Sequence, residues 1–171
     1  MNISTPSAQA IELLCQLIKT PRISREETEA AQILFGHMKD VCKLDVRRHG
    51  NNLWAIAPHF SSQKPTLLLN AHIDTVKPVS GWKKDPWKAT LEGDCLYGLG
   101  SNDDGASLVT LLYAFIELSG KQQPYNLVFL ASAEEEVSGK NGIESVLSLL
   151  PHIDVAIVGE PTCMQPAIAE K

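Results

Sequence analysis

The sequence has little of what marks several large classes of protein. It has no C-x-x-C pair, and Cys15, Cys42, Cys95 and Cys163 lie far apart. That argues against a cysteine-based zinc site and a disulfide framework, and predicts a reduced, cytoplasmic chain. Lysine and arginine form no cluster, and 15 basic residues face 20 acidic ones for a net charge of -5. Neither a nucleic-acid partner nor an anionic membrane surface is expected. No apolar run approaches the ~20 residues of a spanning helix. The opening MNISTPSAQAIELL lacks the basic start and apolar stretch of a secretion signal. Internal repeats and low-complexity stretches are also missing. What is present is a 171-residue chain, 44% hydrophobic, with the size and core-forming capacity of one ordinary domain.

Periodicity divides this chain into helices and strands. Residues 4–20 read as an amphipathic helix, capped by Ser4 or Thr5, with Pro6 in its first turn. Ile11, Leu14, Leu17 and Ile18 form its predicted apolar face, and Pro21 ends it. Residues 24–41 read as a second helix, with Ser24 as cap and Glu27 at the capping-box spacing. Two short strands follow, 43–50 and 52–58, with a hairpin turn at Gly50-Asn51-Asn52. TLLLNAHI (66–73) is a short apolar run and predicts a buried strand. Residues 79–101 are a long, turn-rich segment of the kind that often carries function. A helix is predicted over 103–120, with Leu108, Leu111, Leu112 and Phe115 as its stripe and Gly120 as its stop. YNLVFLASA (125–133) predicts a second buried strand. Residues 139–150 predict a helix broken by Pro151, and DVAIVGE (154–160) a last buried strand. Apolar strands alternating with helices imply an α/β fold: a three-layer αβα arrangement around a largely parallel or mixed sheet.

Polar residues gather where each apolar strand stops. One strand runs into His72 and Asp74, the next into Glu134, Glu135 and Glu136, and the last into Gly159-Glu160-Pro161. Asp103 and Asp104 open a helix. Ligand sites of open α/β sheets lie beyond the carboxyl ends of the strands, so parallel strands would bring all four groups to one edge. Each residue has an ordinary explanation by itself. His72 and Asp74 suit a solvated loop, negative charge is favoured at a helix start, and a glutamate run is usually a wetted face. Four such coincidences at strand ends and helix starts favour a metal site instead. So many carboxylates in one cleft repel unless a cation neutralises them. One histidine with carboxylates suits Zn²⁺ or Co²⁺, and Mn²⁺ less well. A shared carboxylate can bridge two metals roughly 3.5–4 Å apart. Two other motifs fail on inspection. Gly98-Leu99-Gly100 lacks the third glycine of a dinucleotide loop, because Asp103 stands there. NDDG lacks the alternating ligands and closing glutamate of a calcium loop.

NAHIDTV (70–76), LYGLGSNDDGA (96–106), ASAEEE (131–136) and VGEPT (158–162) resemble, in order and spacing, the motifs of one enzyme family. These are the dinuclear zinc amidohydrolases and peptidases that include acetylornithine deacetylase, succinyl-diaminopimelate desuccinylase and glutamate carboxypeptidase. The likeness runs from about the first helix to the end of the chain. It implies a zinc-exopeptidase-like fold and a role for each matching position. His72 matches a histidine ligand of one metal, and Asp74 the aspartate that orients it. Asp103 matches the bridging aspartate, Glu135 the general base, Glu136 a ligand of the other metal and Glu160 a ligand of the same metal as His72. A cis peptide between Asp103 and Asp104 is implied as well. The chain departs from the pattern at Asp104-Gly105-Ala106, where many relatives have Met-Lys-Gly. The extra carboxylate there either points outward to solvent or alters metal affinity.

A second departure is that no histidine follows Glu160, whereas the family's last metal ligand is a histidine near its C-terminus. The expectation is therefore a truncated chain, in which 1–171 is the N-terminal portion of a metal-binding catalytic domain. The C-terminal catalytic segment and the smaller lid or dimerisation domain would lie elsewhere. The full-length protein is expected to be a homodimer that carries two Zn²⁺ per site, with Co²⁺ a possible substitute, and these 171 residues to hold at most one Zn²⁺ tightly. The implied reaction is hydrolysis of the amide of a small-molecule N-acyl amino acid, as in acetylornithine deacetylation for arginine biosynthesis. Glu135 would carry the proton of the attacking water to the leaving amine. The alternatives are a desuccinylase, dipeptidase or carboxypeptidase of the same family, and a non-catalytic metal-binding fragment.

Overall fold

In the computed structural model, which describes residues 5–168, the chain forms a five-stranded mixed sheet with helices over one face and short 3₁₀ turns over the other. Helix α1 (Pro6–Lys19) starts where Thr5 Oγ1 accepts the N–H of Ala8 at 3.2 Å. It ends before Pro21, which cannot donate to the helical ladder. Leu13, Leu14, Leu17 and Ile18 are its buried residues, while Ile11 faces solvent. The apolar face is therefore centred nearer Leu13 and Leu17 than the sequence predicts.

Helix α2 (Thr28–Gly36) runs into a wider helical turn over His37–Val41. It begins four residues later than predicted, and Ser24 does not cap it. Glu27 occupies the cap position without a side-chain cap bond. The segment before α2 is held instead by the chain beyond the central strand. Thr75 N–H donates to Arg22 O at 2.9 Å, and Ser24 N–H donates to Thr75 O at 3.1 Å. This tertiary pairing outweighs the local capping preference.

Strands β1 (Val46–His49) and β2 (Asn52–Ile56) form the predicted hairpin, in register from Val46↔Ala55 to His49↔Asn52. Gly50 turns it with φ +58°, a conformation that costs glycine little. Strand β3 (Thr66–His72) lies parallel to both β6 (Asn126–Ser132) and β7 (Val155–Val158). With β2 antiparallel to β6, the sheet order is β1-β2-β6-β3-β7. The turn-rich segment after β3 contains the small hairpin β4 (Thr90–Glu92) and β5 (Cys95–Tyr97) and ends in a kinked helical stretch, Ser101–Ala106. Helix α3 (Ser107–Ser119) carries the chain from β3 to β6 and buries Leu108, Val109, Leu112 and Phe115, with Leu111 only half-buried.

Alternation along β3 and β6 divides the core. Leu69 and Phe129 pack beneath α1, α2 and α3 with Leu13, Leu17, Leu34 and Phe115. Leu68, Val128 and Leu130 face the other way, towards Trp54 and Val146. Two expectations fail here. Residues 139–150 make 3₁₀ turns at Ile143–Ser145 and Leu147–Leu149 rather than a helix. Ser145, Val146 and Ser148 are weak helix formers, and the segment needs only Val146 and Leu150 to seal the sheet. Strand β7 is not buried. It is the sheet edge, and Val155, Ile157 and Val158 are exposed.

Candidate metal centre

Because β3, β6 and β7 are parallel, their carboxyl ends open on one edge, and the polar groups after them converge there. His72 ends β3 and is buried. Its Nδ1 lies 3.0 Å from the backbone oxygen of Asp74 and 3.5 Å from Asp74 Oδ1, which leaves Nε2 pointing at the carboxylates. Asp103 Oδ1 is 3.1 Å from Nε2, and Glu135 Oε2 and Glu160 Oε1 are each 3.9 Å away. The Asp103 and Glu135 side chains are about half exposed, so the centre opens to solvent on the carboxylate side. His72, Asp103 and Glu160 each offer a ligand atom within 4.8 Å of the others, the only such group of three among the described residues.

Each group is delivered by a distinct local device. Asp103 sits in a kinked stretch, Ser101–Ala106, that precedes α3; its backbone is non-helical and its bond to Asp104 is cis. Glu135 and Glu136 begin a single 3₁₀ turn after β6, entered through a left-handed Glu134. Asp74 holds that turn. It is fully buried, and its Oδ1 accepts the N–H of Glu135 at 3.0 Å. Its Oδ2 accepts the N–H of Glu136 at 3.3 Å and the hydroxyl of Ser24 at 2.7 Å.

The electrostatics follow from this crowding. Burial pulls the His72 pKa down, but Asp74, Asp104 and Glu135 outweigh it and raise the imidazole to about 9. Burial raises Glu160 to about 7; the neighbouring carboxylates add to this and His72 works against it. Burial, with Asp103 next, also raises Glu136. For Asp74, burial pushes upward, but the bonds from His72, Ser24 and Glu135 hold the carboxyl below its usual value. The centre without metal thus holds a proton-loving imidazole beside Glu160 and Glu136, which resist ionisation, the electrostatic demand that a cation satisfies.

Four residues have roles here that a reading of the sequence does not assign to them. Asp104 turns inward, fully buried, and its Oδ2 accepts the backbone N–H of His72 at 3.1 Å. Arg22 is fully buried beneath the kinked stretch. Ser24 belongs to the Asp74 cluster rather than to a helix cap. Asn52, at the start of β2, accepts the N–H of Ala133 at 2.9 Å and donates to Asn141 O at 2.6 Å, bracing the loop that carries Glu135. The sequence signals Asp104 only as a departure from the family pattern, and Arg22 only as an arginine between the apolar neighbours Pro21 and Ile23.

Residues 68–170 match the model of peptidase family M20/M25/M40. The chain belongs to this family. The M20 chain is 30% identical over 165 residues to a succinyl-diaminopimelate desuccinylase of Blochmanniella floridana, with 89% of the chain and 43% of that protein covered. It is 32% identical over 185 aligned positions to an acetylornithine deacetylase of Proteus mirabilis, with 100% of the chain and 46% of that protein covered. Among solved structures, an M20 family metallo-carboxypeptidase from Sulfolobus solfataricus superposes with a TM-score of 0.71 at 26% identity, covering 88% of this chain and 37% of that one. This M20 chain thus spans less than half the length of these relatives. No helix among its described residues is long and apolar enough to cross a membrane.

Proposed function

We propose that this chain is the N-terminal, metal-binding part of the catalytic domain of a metal-dependent amidohydrolase acting on an N-acyl amino acid. The observation that carries the proposal is the convergence of His72, Asp103 and Glu160 within 4.8 Å at the carboxyl edge of the sheet. The donor set fits a divalent cation of the zinc class: one imidazole nitrogen and two carboxylates, with room for a fourth ligand from solvent. His72, Asp103 and Glu160 would hold one ion. Asp103 would also face a second ion with Glu136, whose remaining histidine donor would come from sequence beyond these residues, as would a smaller dimerisation domain. When bound, such metals polarise a carbonyl and make a water molecule acidic.

The protein's own groups divide the remaining work. Asp74 fixes the His72 ring through Nδ1, with its backbone oxygen at 3.0 Å and its carboxylate at 3.5 Å, so that Nε2 faces the centre. The same carboxylate pins the Glu135 and Glu136 amides, which sets where both side chains emerge. Glu135 is half exposed and 3.9 Å from His72 Nε2, close enough to the centre to take a proton from an attacking water and return it to the leaving amine. The names of the relatives favour an acetylated or succinylated amino acid as substrate; cytoplasmic amino-acid biosynthesis is the proposed setting. Zn²⁺ is the proposed metal, with Co²⁺ as a substitute.

Zinc titration of the 171-residue chain tests this reading. One tight equivalent is expected, lost in both His72→Ala and Glu160→Ala. Two tight equivalents, or binding that survives both substitutions, would refute the ligand set. In the full-length protein, Glu135→Gln is expected to keep metal and lose about 10²–10⁴-fold in kcat, whereas Glu136→Gln loses metal. The opposite pattern reverses the two roles.

A further inference from the structure

Two buried groups of opposite charge join the same two stretches of backbone. Arg22 is fully buried, and its guanidinium spans them with separate arms. Nη1 donates to Ile73 O, one residue past His72, and Nη2 donates to Gly100 O at 2.7 Å, at the start of the kinked stretch. Asp104 makes the reciprocal link from within that stretch, accepting the N–H of His72 at 3.1 Å. Both bridges therefore run between the end of β3, which delivers His72, and residues 100–104, which deliver Asp103. Gly100 and Gly105 line the guanidinium so closely that a Cβ at either would meet it.

The charges require each other. Among the described residues no carboxylate comes within the 4.0 Å of an ion pair with Arg22, and its Nε has no hydrogen-bond partner. Burial lowers the Arg22 pKa to about 10, against the attraction of Asp74, Asp104 and Asp103. A buried cation without nearby negative charge is costly, as is a buried carboxylate without positive charge. Asp74 is already engaged by His72, Ser24 and the Glu135 turn, and Asp103 is half exposed. Asp104 is the fully buried carboxylate left to balance Arg22.

We propose that Arg22 and Asp104 form a charge-balanced clamp that fixes the spacing between His72 and Asp103 before metal arrives. Neither residue touches the reacting atoms; both are positioning residues. The inference rests on the reading of His72 and Asp103 as ligands. It also answers what the extra carboxylate after the bridging position does: it faces inward and ties one ligand's backbone to the other's.

Arg22→Met separates the clamp from a simple field effect. Removing a cation near a metal centre should tighten zinc binding if only the field matters. Loss of the clamp should weaken it, by about 10–100-fold for a partner that orients ligands. Arg22→Lys keeps the charge but lacks the two-armed reach, so it is expected to weaken zinc as well, and it carries the zinc readout where Arg22→Met does not fold. Metal-free thermal unfolding of Arg22→Met, Asp104→Ala and the double variant supplies an independent readout. The double variant is expected to lose less than the sum of the single losses. Tighter zinc in Arg22→Met, unchanged zinc in Arg22→Lys, or additive losses in Tm would each overturn the clamp. A wild-type chain that binds no zinc would refute the metal reading instead, and the Tm cycle would then decide whether Arg22 and Asp104 are coupled.

Discussion

Asp74 Oδ1 accepts the backbone N–H of Glu135 at 3.0 Å while it lies 3.5 Å from His72 Nδ1. One oxygen of one buried carboxylate therefore relates the end of β3 to the turn after β6. The other oxygen extends the link to Glu136 and to Ser24 in the segment between α1 and α2.

Asp74→Asn is expected to break this arrangement in a directional way. An amide nitrogen cannot accept from either glutamate N–H, so one buried donor is left facing another. The cost should be about 1–3 kcal/mol, read as a lower urea midpoint with an unchanged slope. Ser24→Ala removes one bond to the charged group and should cost about 1.5–3 kcal/mol. Losses below about 0.5 kcal/mol in both variants would show that the carboxylate is not a hub.

Gly100→Ala should be more damaging than a typical loop substitution. Gly100 has φ +71°, and an added Cβ would run into the Arg22 guanidinium and Thr75. Backbone strain alone is worth about 1–3 kcal/mol, and displacement of Arg22 adds to it. Gly93, also at positive φ (+59°) but with open space around it, is the control. The expected result is a clearly larger Tm loss for Gly100→Ala than for Gly93→Ala.

Asn52→Ala tests the brace under the Glu135 loop. It removes the acceptor of the Ala133 N–H and the donor to Asn141 O. Glu134, which receives the Asn141 side chain at 2.8 Å, loses its support indirectly. A loss of about 1–3 kcal/mol is expected from the orphaned groups, with faster hydrogen exchange at Ala133 and Asn141. Unchanged exchange there would remove Asn52 from the account.

The pH dependence of the metal-free chain has a definite sign. His72 is raised from 6.5 to about 9 and Asp104 from 3.8 to about 6. For Asp104, burial is the main cause, and the charge and backbone N–H of His72 oppose it. In both cases the folded state holds the proton more tightly than the unfolded state. The stabilisation is complete below the unfolded value and is lost as pH rises through the folded one. Without metal, Tm should therefore fall as pH rises from 6.5 to 9, the His72 window. Zinc requires the neutral imidazole, so its affinity should rise across the same interval. A His72→Gln variant should flatten the metal-free profile, and a flat wild-type profile would contradict the shift.

The strands that place the centre were legible because each is a short apolar run, and a parallel sheet buries such runs end to end. The hairpin at Gly50 and the start of α1 at Thr5 follow from local chemistry in the same way. The failures have a common physical form. Ser24 carries a good local capping pattern, yet tertiary pairing with Thr75 takes the segment and gives the hydroxyl to Asp74. Residues 139–150 look helical, but the sheet needs only two of them for cover. β7 reads as buried because its composition matches that of β3 and β6, and composition does not say which strand is the edge. Arg22 and Asp104 are linked across 82 positions of chain, and nothing local in either announces the other.

The position of Glu160 has a consequence for how the centre assembles. It follows β7, the last strand in chain order, and the ladder to β3 continues through the Gly159 N–H to Asn70 O at 2.8 Å, one residue short of the glutamate. Among the described residues β7 pairs with β3 alone. Edge fraying, among the cheapest openings of a sheet, therefore withdraws a donor from the triad. By linkage, an ion that binds only the docked strand must favour docking by the same free energy. Zinc should accordingly slow amide exchange along β7, from Ala156 to Gly159, so that strand and metal act as one latch, each holding the other closed.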